Sequence, residues 1–129
     1  MAVIPYVIVK PSATSPKKYR DDVHLIQWPL MANGDTGEPL EMAGSADRSV
    51  QVVGTFGAGG NARIEGSNNN LTALTTFSVL TDPQGNALDF TAAKIEAISE
   101  LTDRIRPNIT GGDVTTSLTV SLLVRRPFA

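Results

Sequence analysis

Few side chains in this sequence of 129 residues could carry out chemistry, and the single histidine is the first to consider. His24 could act as a general base, and Asp21 and Asp22 lie close to it along the chain. It alternates with Val23 and Leu25 as a strand residue does, however, and no serine elbow or partner motif accompanies it. We therefore interpret His24 as a strand residue at a surface or subunit contact, and we predict no catalytic residue and no enzymatic activity.

The sequence indicates no cofactor or metal site either. Gly57–Ala62 fits the letters of a dinucleotide fingerprint, but the following residues Asn61–Gly66 alternate like a strand instead of opening a helix. We interpret the segment as a glycine-rich hairpin connection. Four aspartates could offer oxygen ligands to calcium: Asp82, Asp89, Asp103 and Asp113. They lack the spacing of a calcium loop, and the chain has no cysteine to bind zinc or an iron–sulfur cluster.

The charge balance argues against a nucleic-acid partner. The formal net charge is −2 and the pI about 5.3, whereas nucleic-acid-binding domains normally present a strongly basic face. Arg104, Arg106, Arg125 and Arg126 are better explained as interface salt bridges, because only Phe128 lies near them as an aromatic platform. No apolar run approaches the roughly 18 residues of a membrane span, and residues 1–10 lack a basic leader, so we expect neither membrane insertion nor a signal peptide.

Two polar segments carry opposite charges. Lys10–Arg20 has four positive charges and no negative one, and its Lys17, Lys18 and Arg20 are candidate interface residues. Gly34–Ser49 contains four acidic residues before Arg48: Asp35, Glu38, Glu41 and Asp47. Opposite charges of this kind steer association, so we expect the two loops to direct contacts between protomers or toward a partner.

Period-two alternation is the strongest structural signal in the chain. Leu118, Val120, Leu122 and Val124 fall on one face of a strand that ends near Arg125. Similar alternation or β-rich composition predicts six further strands: Val3–Lys10, Val23–Met31, Ser49–Phe56, Asn61–Gly66, Phe77–Leu80 and Arg104–Thr110. Pro107 removes a backbone donor, which predicts that its strand lies at a sheet edge or ends near the proline.

Residues 91–102 depart from this pattern. Thr91 is a candidate N-cap, and Ile95, Ile98 and Leu101 recur at helical spacing, so we predict one short helix across an end of the sheets. About seven to eight short strands joined by turn signals predict an all-β fold. We expect residues 1–129 to form one antiparallel β-sandwich domain of the jelly-roll kind.

The N-terminal stretch is apolar on both of its predicted faces. Ile4, Tyr6 and Ile8 alternate with a second apolar set: Val3, Val7 and Val9. A strand of this kind must be covered on both sides. Residues 1–10 are therefore either a core strand of their own sandwich or an arm that pairs with, or is exchanged with, a neighbouring subunit.

Four segments, taken in order, resemble small structural proteins of tailed bacteriophages: Ile64–Asn68, Phe77–Leu88, Arg104–Asp113 and Leu118–Arg126. The similarity is to capsid decoration, or cement, proteins with a jelly-roll sandwich, and it covers roughly the C-terminal half of the chain. It implies a homodimer or homotrimer made in the host cytoplasm and seated on the outer surface of a capsid. There it would clamp neighbouring major capsid proteins.

Two other functions remain open at this point. A carbohydrate-binding β-sandwich would need exposed aromatic side chains, for which Trp28 and Tyr19 are the candidates, although aromatic residues make up only 5% of the chain. Trp28 is also a candidate interface residue. A small hydrolase would have to depend on His24 alone.

Overall fold

Alternating burial along the strands builds a sandwich of two sheets. In the computed structural model, which describes residues 2–9, 23–69 and 76–126, Leu118, Val120, Leu122 and Val124 are buried, while the residues between them are exposed or half-buried. The described residues contain eleven strands and no helix. No helix in this part of the chain is therefore long and apolar enough to cross a membrane. The all-β sandwich that the sequence predicts is confirmed.

In chain order the strands are β1 (Val3–Ile4), β2 (Val7–Val9), β3 (Val23–Met31), β4 (Thr36–Gly37), β5 (Asp47–Thr55), β6 (Asn61–Ser67), β7 (Ser78–Val79), β8 (Asp89–Phe90), β9 (Lys94–Ala97), β10 (Arg104–Thr110) and β11 (Ser117–Arg125).

The chain passes repeatedly between the two sheets. One sheet has five strands in the order β2-β3-β11-β5-β9, and the other has six, in the order β1-β4-β10-β6-β7 with β8 also paired to β6. Apart from β1 with β4, every strand pair is antiparallel. Strand β11 thus lies between β3 and β5, and β10 lies between β4 and β6.

Aliphatic side chains, the Phe90 ring and the Trp28 indole fill the space between the sheets. Trp28 on β3 is 1% exposed, and its Nε1 donates a hydrogen bond to the carbonyl oxygen of Glu38 at 3.0 Å. Tyr6 meets the indole edge-on, with ring centroids 6.2 Å apart. This contact fastens the N-terminal segment to the core.

The N-terminal stretch forms two strands in different sheets. Strand β1 pairs in parallel with β4 in the six-stranded sheet, and β2 pairs with β3 in the five-stranded sheet. The change of sheet occurs at Pro5 and Tyr6, which lie between the two strands. The single strand Val3–Lys10 expected from the sequence is therefore wrong, because the chain crosses the open side of the sandwich at the proline.

The predicted helix over residues 91–102 is absent. Residues Lys94–Ala97 form β9, which pairs with β5 from Ser49 to Val52. The apolar residues of the predicted helical face point apart, since Ile98 is buried whereas Ile95 and Leu101 are exposed. Pairing with the edge of β5 satisfies the backbone groups of β9. A helix of this short length would gain little stability from its own hydrogen bonds.

Pro107 lies inside a sheet, between β4 and β6, and not at the edge predicted for it. The proline ring packs against Gly37 of β4. A Cβ added to that glycine would lie 2.5 Å from Pro107 Cδ and 2.7 Å from Trp28 Cδ1. The backbone of β10 makes its hydrogen bonds toward β4 and its flanking residues before and after the proline, at Ile105 and Ile109. A glycine opposite the ring thus allows a proline in the interior of the sheet.

We expect Gly37→Ala to lower the free energy of unfolding by about 1–3 kcal/mol, because the new methyl group overlaps the Pro107 ring and the Trp28 indole. Gly44→Ala is the matched control, since a Cβ at Gly44 meets no atom within 4 Å. Urea denaturation followed by tryptophan fluorescence measures both. Equal stability of the two variants would contradict this account of the Gly37 contact.

Candidate interaction surfaces

The outward side of the five-stranded sheet is almost free of charge, and we call it the neutral face. Strand register aligns Val9, Leu25, Leu123, Ser49 and Ala97 in one row across all five strands. The next row consists of Val7, Gln27, Ser121, Gln51 and Ile95. Among the described outward positions of these strands, the charged residues are Asp47 and Arg125, which form an ion pair at 2.6 Å.

The outward side of the six-stranded sheet is polar and charged instead. Glu65, which is buried, accepts hydrogen bonds from Arg106 Nε at 3.1 Å and from Asn108 Nδ2 at 3.2 Å. The Arg106 guanidinium lies 3.9 Å above the centre of the Phe77 ring. Arg63 and Asp89 occupy the neighbouring register position. The two outer surfaces of the sandwich therefore differ sharply in polarity.

The N-terminal segment forms the open edge of both sheets, since β1 and β2 are the outermost strands on that side. Ile4 and Tyr6 pack against the core. Other apolar side chains of the segment stay uncovered: the exposed fractions are 64% for Val3, 51% for Val7 and 46% for Ile8. The segment is thus attached to its own sandwich and still presents an apolar edge.

Two acidic residues on either side of β4 hold this segment in place. Asp35 Oδ1 accepts a hydrogen bond from the Ala2 amide at 3.1 Å, and its Oδ2 accepts one from Ala32 at 2.8 Å. Glu38 Oε1 accepts from the Tyr6 amide at 3.3 Å. Since Asp47 pairs with Arg125, three of the four acidic residues predicted to steer contacts with partners bind groups of their own chain.

The predicted interface residues are scattered over the molecule. Ile4, Tyr6 and Ile8 lie along the N-terminal edge, Arg125 lies on the neutral face, and Arg126 is exposed directly after it. Trp28 is in the core. Lys17, Lys18 and Arg20 lie outside the described residues, as do Tyr19 and Phe128. The sequence analysis did not predict the neutral face. Leu123, an exposed leucine that alternates with the buried residues of its strand, was the sequence feature that indicates it.

His24 is paired with Val124 across β3 and β11, near the end of the sandwich. Its Nδ1 is buried and, among the described residues, has no hydrogen-bond partner. The neighbouring Asp21 and Asp22 lie outside those residues. The described part of the chain therefore provides no carboxylate that orients this imidazole.

The aspartates considered as calcium ligands include two that bind turns of their own backbone. Asp82 Oδ1 accepts from the amides of Gln84 and Asn86, both at 2.9 Å, and the Asn86 amide is the main reason that the pKa of Asp82 is lowered. Asp113 has a lowered pKa chiefly because it accepts a hydrogen bond from Thr115. Within the described ranges, no three His, Cys, Asp or Glu side chains lie together as metal ligands.

The glycine-rich segment after β5 joins the two sheets and does not close a hairpin, because β5 and β6 belong to different sheets. Gly57 and Gly59 both have a φ of +72°, a conformation that favours glycine. The Ala58 amide donates to Asp113 Oδ2 at 3.0 Å. This contact ties the connection to the turn before β11, so the fingerprint-like letters have a structural explanation.

Searches against protein-family models, curated proteins and solved structures gave no match for this chain.

We expect Asp35→Ala to loosen the N-terminal segment, because it removes the acceptor shared by the Ala2 and Ala32 amides. The free energy of unfolding should fall by about 1–3 kcal/mol, and amide exchange in residues 3–9 should accelerate. Hydrogen–deuterium exchange with mass spectrometry measures this. Glu41→Ala, which removes an exposed carboxylate of the same loop, is the control. Identical exchange in the two variants would refute the role of Asp35.

Acid should destabilise the fold through its turn carboxylates. The pKa values of Asp82, Asp113 and Glu100 are lowered in the folded chain, Glu100 mainly by a hydrogen bond from Thr81. Their contribution is therefore complete above the ordinary values of 3.8 and 4.5 and is lost as the pH falls toward the lowered ones. Urea denaturation from about pH 7 to 2.5 should show this loss.

The variant Asp82→Asn should flatten this acid dependence, because an amide can still accept a hydrogen bond in the turn but has no charge to lose. Glu41→Gln should leave the steepness of the loss close to that of the unmodified chain. If Asp82→Asn lost stability as steeply as the unmodified chain, the turn carboxylate would not be a source of the acid sensitivity.

Proposed function

We propose that this chain is a non-enzymatic structural virion protein that decorates the outer surface of a tailed-phage capsid and stabilises it by clamping neighbouring major capsid proteins. The resemblance of its C-terminal half to decoration proteins supports this proposal, and so does its two-sheet β-sandwich. The observation that carries it furthest is the N-terminal edge, where β1 and β2 bound both sheets and leave Val3 and Ile8 uncovered.

An uncovered edge strand is suited to binding an extended segment of another chain. Strand β1 is paired on one side with β4, and β2 on one side with β3; among the described residues, neither has a strand on its other side. Backbone groups on the outer side of such a strand can bond an added strand, and alternate side chains give the contact its specificity. An extended segment of a major capsid protein is the occupant that we propose for this edge.

Clamping would stabilise the shell in two ways: the protein would bind the expanded shell selectively, and many copies of it would bind each shell. A protein that binds only the expanded shell lowers the free energy of that state by mass action. Repeated, linked contacts on a symmetric lattice allow each one to be modest. The apolar N-terminal edge is small, which is compatible with weak individual contacts repeated many times.

The geometry of the described aromatic residues gives less support to the carbohydrate-binding alternative. The Trp28 indole is buried between the sheets, and Tyr6 packs against it. The Phe77 ring is covered on one side by the Arg106 guanidinium. The candidate Trp28 therefore offers no free ring surface on which a sugar could stack.

Co-sedimentation with capsid shells tests the proposal. Expanded and unexpanded shells, assembled from the major capsid protein of the same virus, are mixed with the purified chain over a range of concentrations. We expect binding to expanded shells alone, and a higher temperature of shell disruption when the chain is bound. Val3→Lys should weaken binding about tenfold or more, because it places a charge in the apolar edge contact.

Val114→Lys is the matched control, since Val114 is fully exposed in the turn before β11, away from the N-terminal edge. Both variants should unfold at the temperature of the unmodified chain, because neither side chain is buried. Equal binding of the two variants to expanded shells would refute the role of the edge. Failure of the unmodified chain to bind expanded shells would refute the proposed function.

A further inference from the structure

Several polar side chains of the neutral face are hydrogen-bonded within the chain. Gln27 Nε2 donates to Ser121 Oγ at 3.0 Å, in the central row of the face. Thr119 Oγ1 accepts from the Leu30 amide at 3.2 Å, and Arg125 binds Asp47. Polar groups that are already paired lose little when water is removed from above them. Covering this face is therefore less costly than its serine, threonine and glutamine content suggests.

Apolar side chains on the same face remain in contact with water. Leu123, at the centre of the sheet, is 40% exposed, and Val7, Val53 and Ile95 are exposed on the strands around it. Leu25 and Val9 continue the row of Leu123 toward the N-terminal edge. When the residues of a strand alternate between core and solvent, the solvent side normally carries charged residues, as the outward side of the six-stranded sheet does here. The neutral face has the composition of a surface that another protein covers.

The size of the face matches a small, specific interface. Three strands of nine residues and two short flanking strands, with about 3.3 Å per residue and 4.8 Å between strands, give roughly 550 Å² in flat projection. The accessible area is larger because side chains protrude. Stable interfaces begin at about 600 Å² per partner.

We propose that the neutral face packs against the same face of a second copy of this chain, in an isologous dimer. Among the described residues, the charged side chains of this face, Asp47 and Arg125, are paired with each other within each copy, so they offer no unpaired charge to an acidic or basic partner. An identical face has the same area and the same lack of charge, so the two surfaces complement each other without any counter-charge. The N-terminal edge remains free for a different contact.

This inference specifies the self-association that the resemblance to decoration proteins implies, and it rests on no other part of the proposed function. The test of the dimer uses the isolated full-length chain in solution, without shells. A negative result would therefore refute the dimer and leave shell binding to the co-sedimentation experiment. Sedimentation velocity over a concentration series should show a monomer–dimer equilibrium for the unmodified chain. Leu123→Lys should weaken the dimer at least about 100-fold, because it sets like charges against each other in an apolar interface. Val114→Lys should dimerise normally.

A second measurement does not depend on a disruptive substitution. The chain has no cysteine, so a single introduced one can report on coverage. Ser49→Cys places a thiol in the row of Leu123, and Ser78→Cys places one in an exposed position of the other sheet. We expect maleimide to label the Ser49→Cys thiol about tenfold more slowly or less at dimer-forming than at dilute concentration. The rate at Ser78→Cys should be unchanged.

The outcomes separate clearly. A dimer that Leu123→Lys dissociates, with protection confined to Ser49→Cys, supports the proposal. A chain that stays monomeric up to about 100 μM overturns it, because any dimer with a Kd below that concentration would then be populated. A trimer, or a dimer indifferent to Leu123→Lys, overturns it as well, since the copies would then meet through another surface.

Discussion

The burial of one tryptophan, Trp28, joins segments of this sandwich that are distant from one another in the sequence. Trp28 projects from β3 into the core, where its indole nitrogen donates to the carbonyl of Glu38 and its ring meets Tyr6. The ring also lies against Gly37, where no larger side chain fits. The N-terminal segment, the loop after β3 and the six-stranded sheet thus share a contact with a single ring. The apolar edge exists because this contact places β1 and β2 at the open side of the sandwich.

The two outer surfaces divide the functions that we propose. On the six-stranded sheet, the buried carboxylate of Glu65 binds the half-buried side chains of Arg106 and Asn108. On the five-stranded sheet, several polar groups are paired and several aliphatic side chains are exposed, which favours a dry contact. A protein that acts through surfaces needs such asymmetry, since one side must remain soluble when the other is covered. The N-terminal edge gives it a further contact in a different direction.

Much of the fold could be predicted because the long strands alternate cleanly. The strand predicted at Val23–Met31 is present with the same bounds, and that at Arg104–Thr110 is as well. The errors lie where a short pattern is ambiguous. Ile95, Ile98 and Leu101 fit a helix locally, but β5 offers an unpaired edge that only the assembled sheet provides. Pro107 looked like an edge residue because its accommodation depends on Gly37, which is 70 residues away in the sequence.

The sequence by itself determined the class of fold, the lack of cysteine chemistry, and the doubly apolar character of the N-terminal stretch. These follow from residue type and period, which are local properties. The tertiary structure alone decided that Asp35 and Glu38 bind the N-terminal backbone, that Trp28 is internal, and that a nearly uncharged surface runs across five strands. Each of these depends on which strands become neighbours, and strand neighbours are set by packing between residues far apart in the chain.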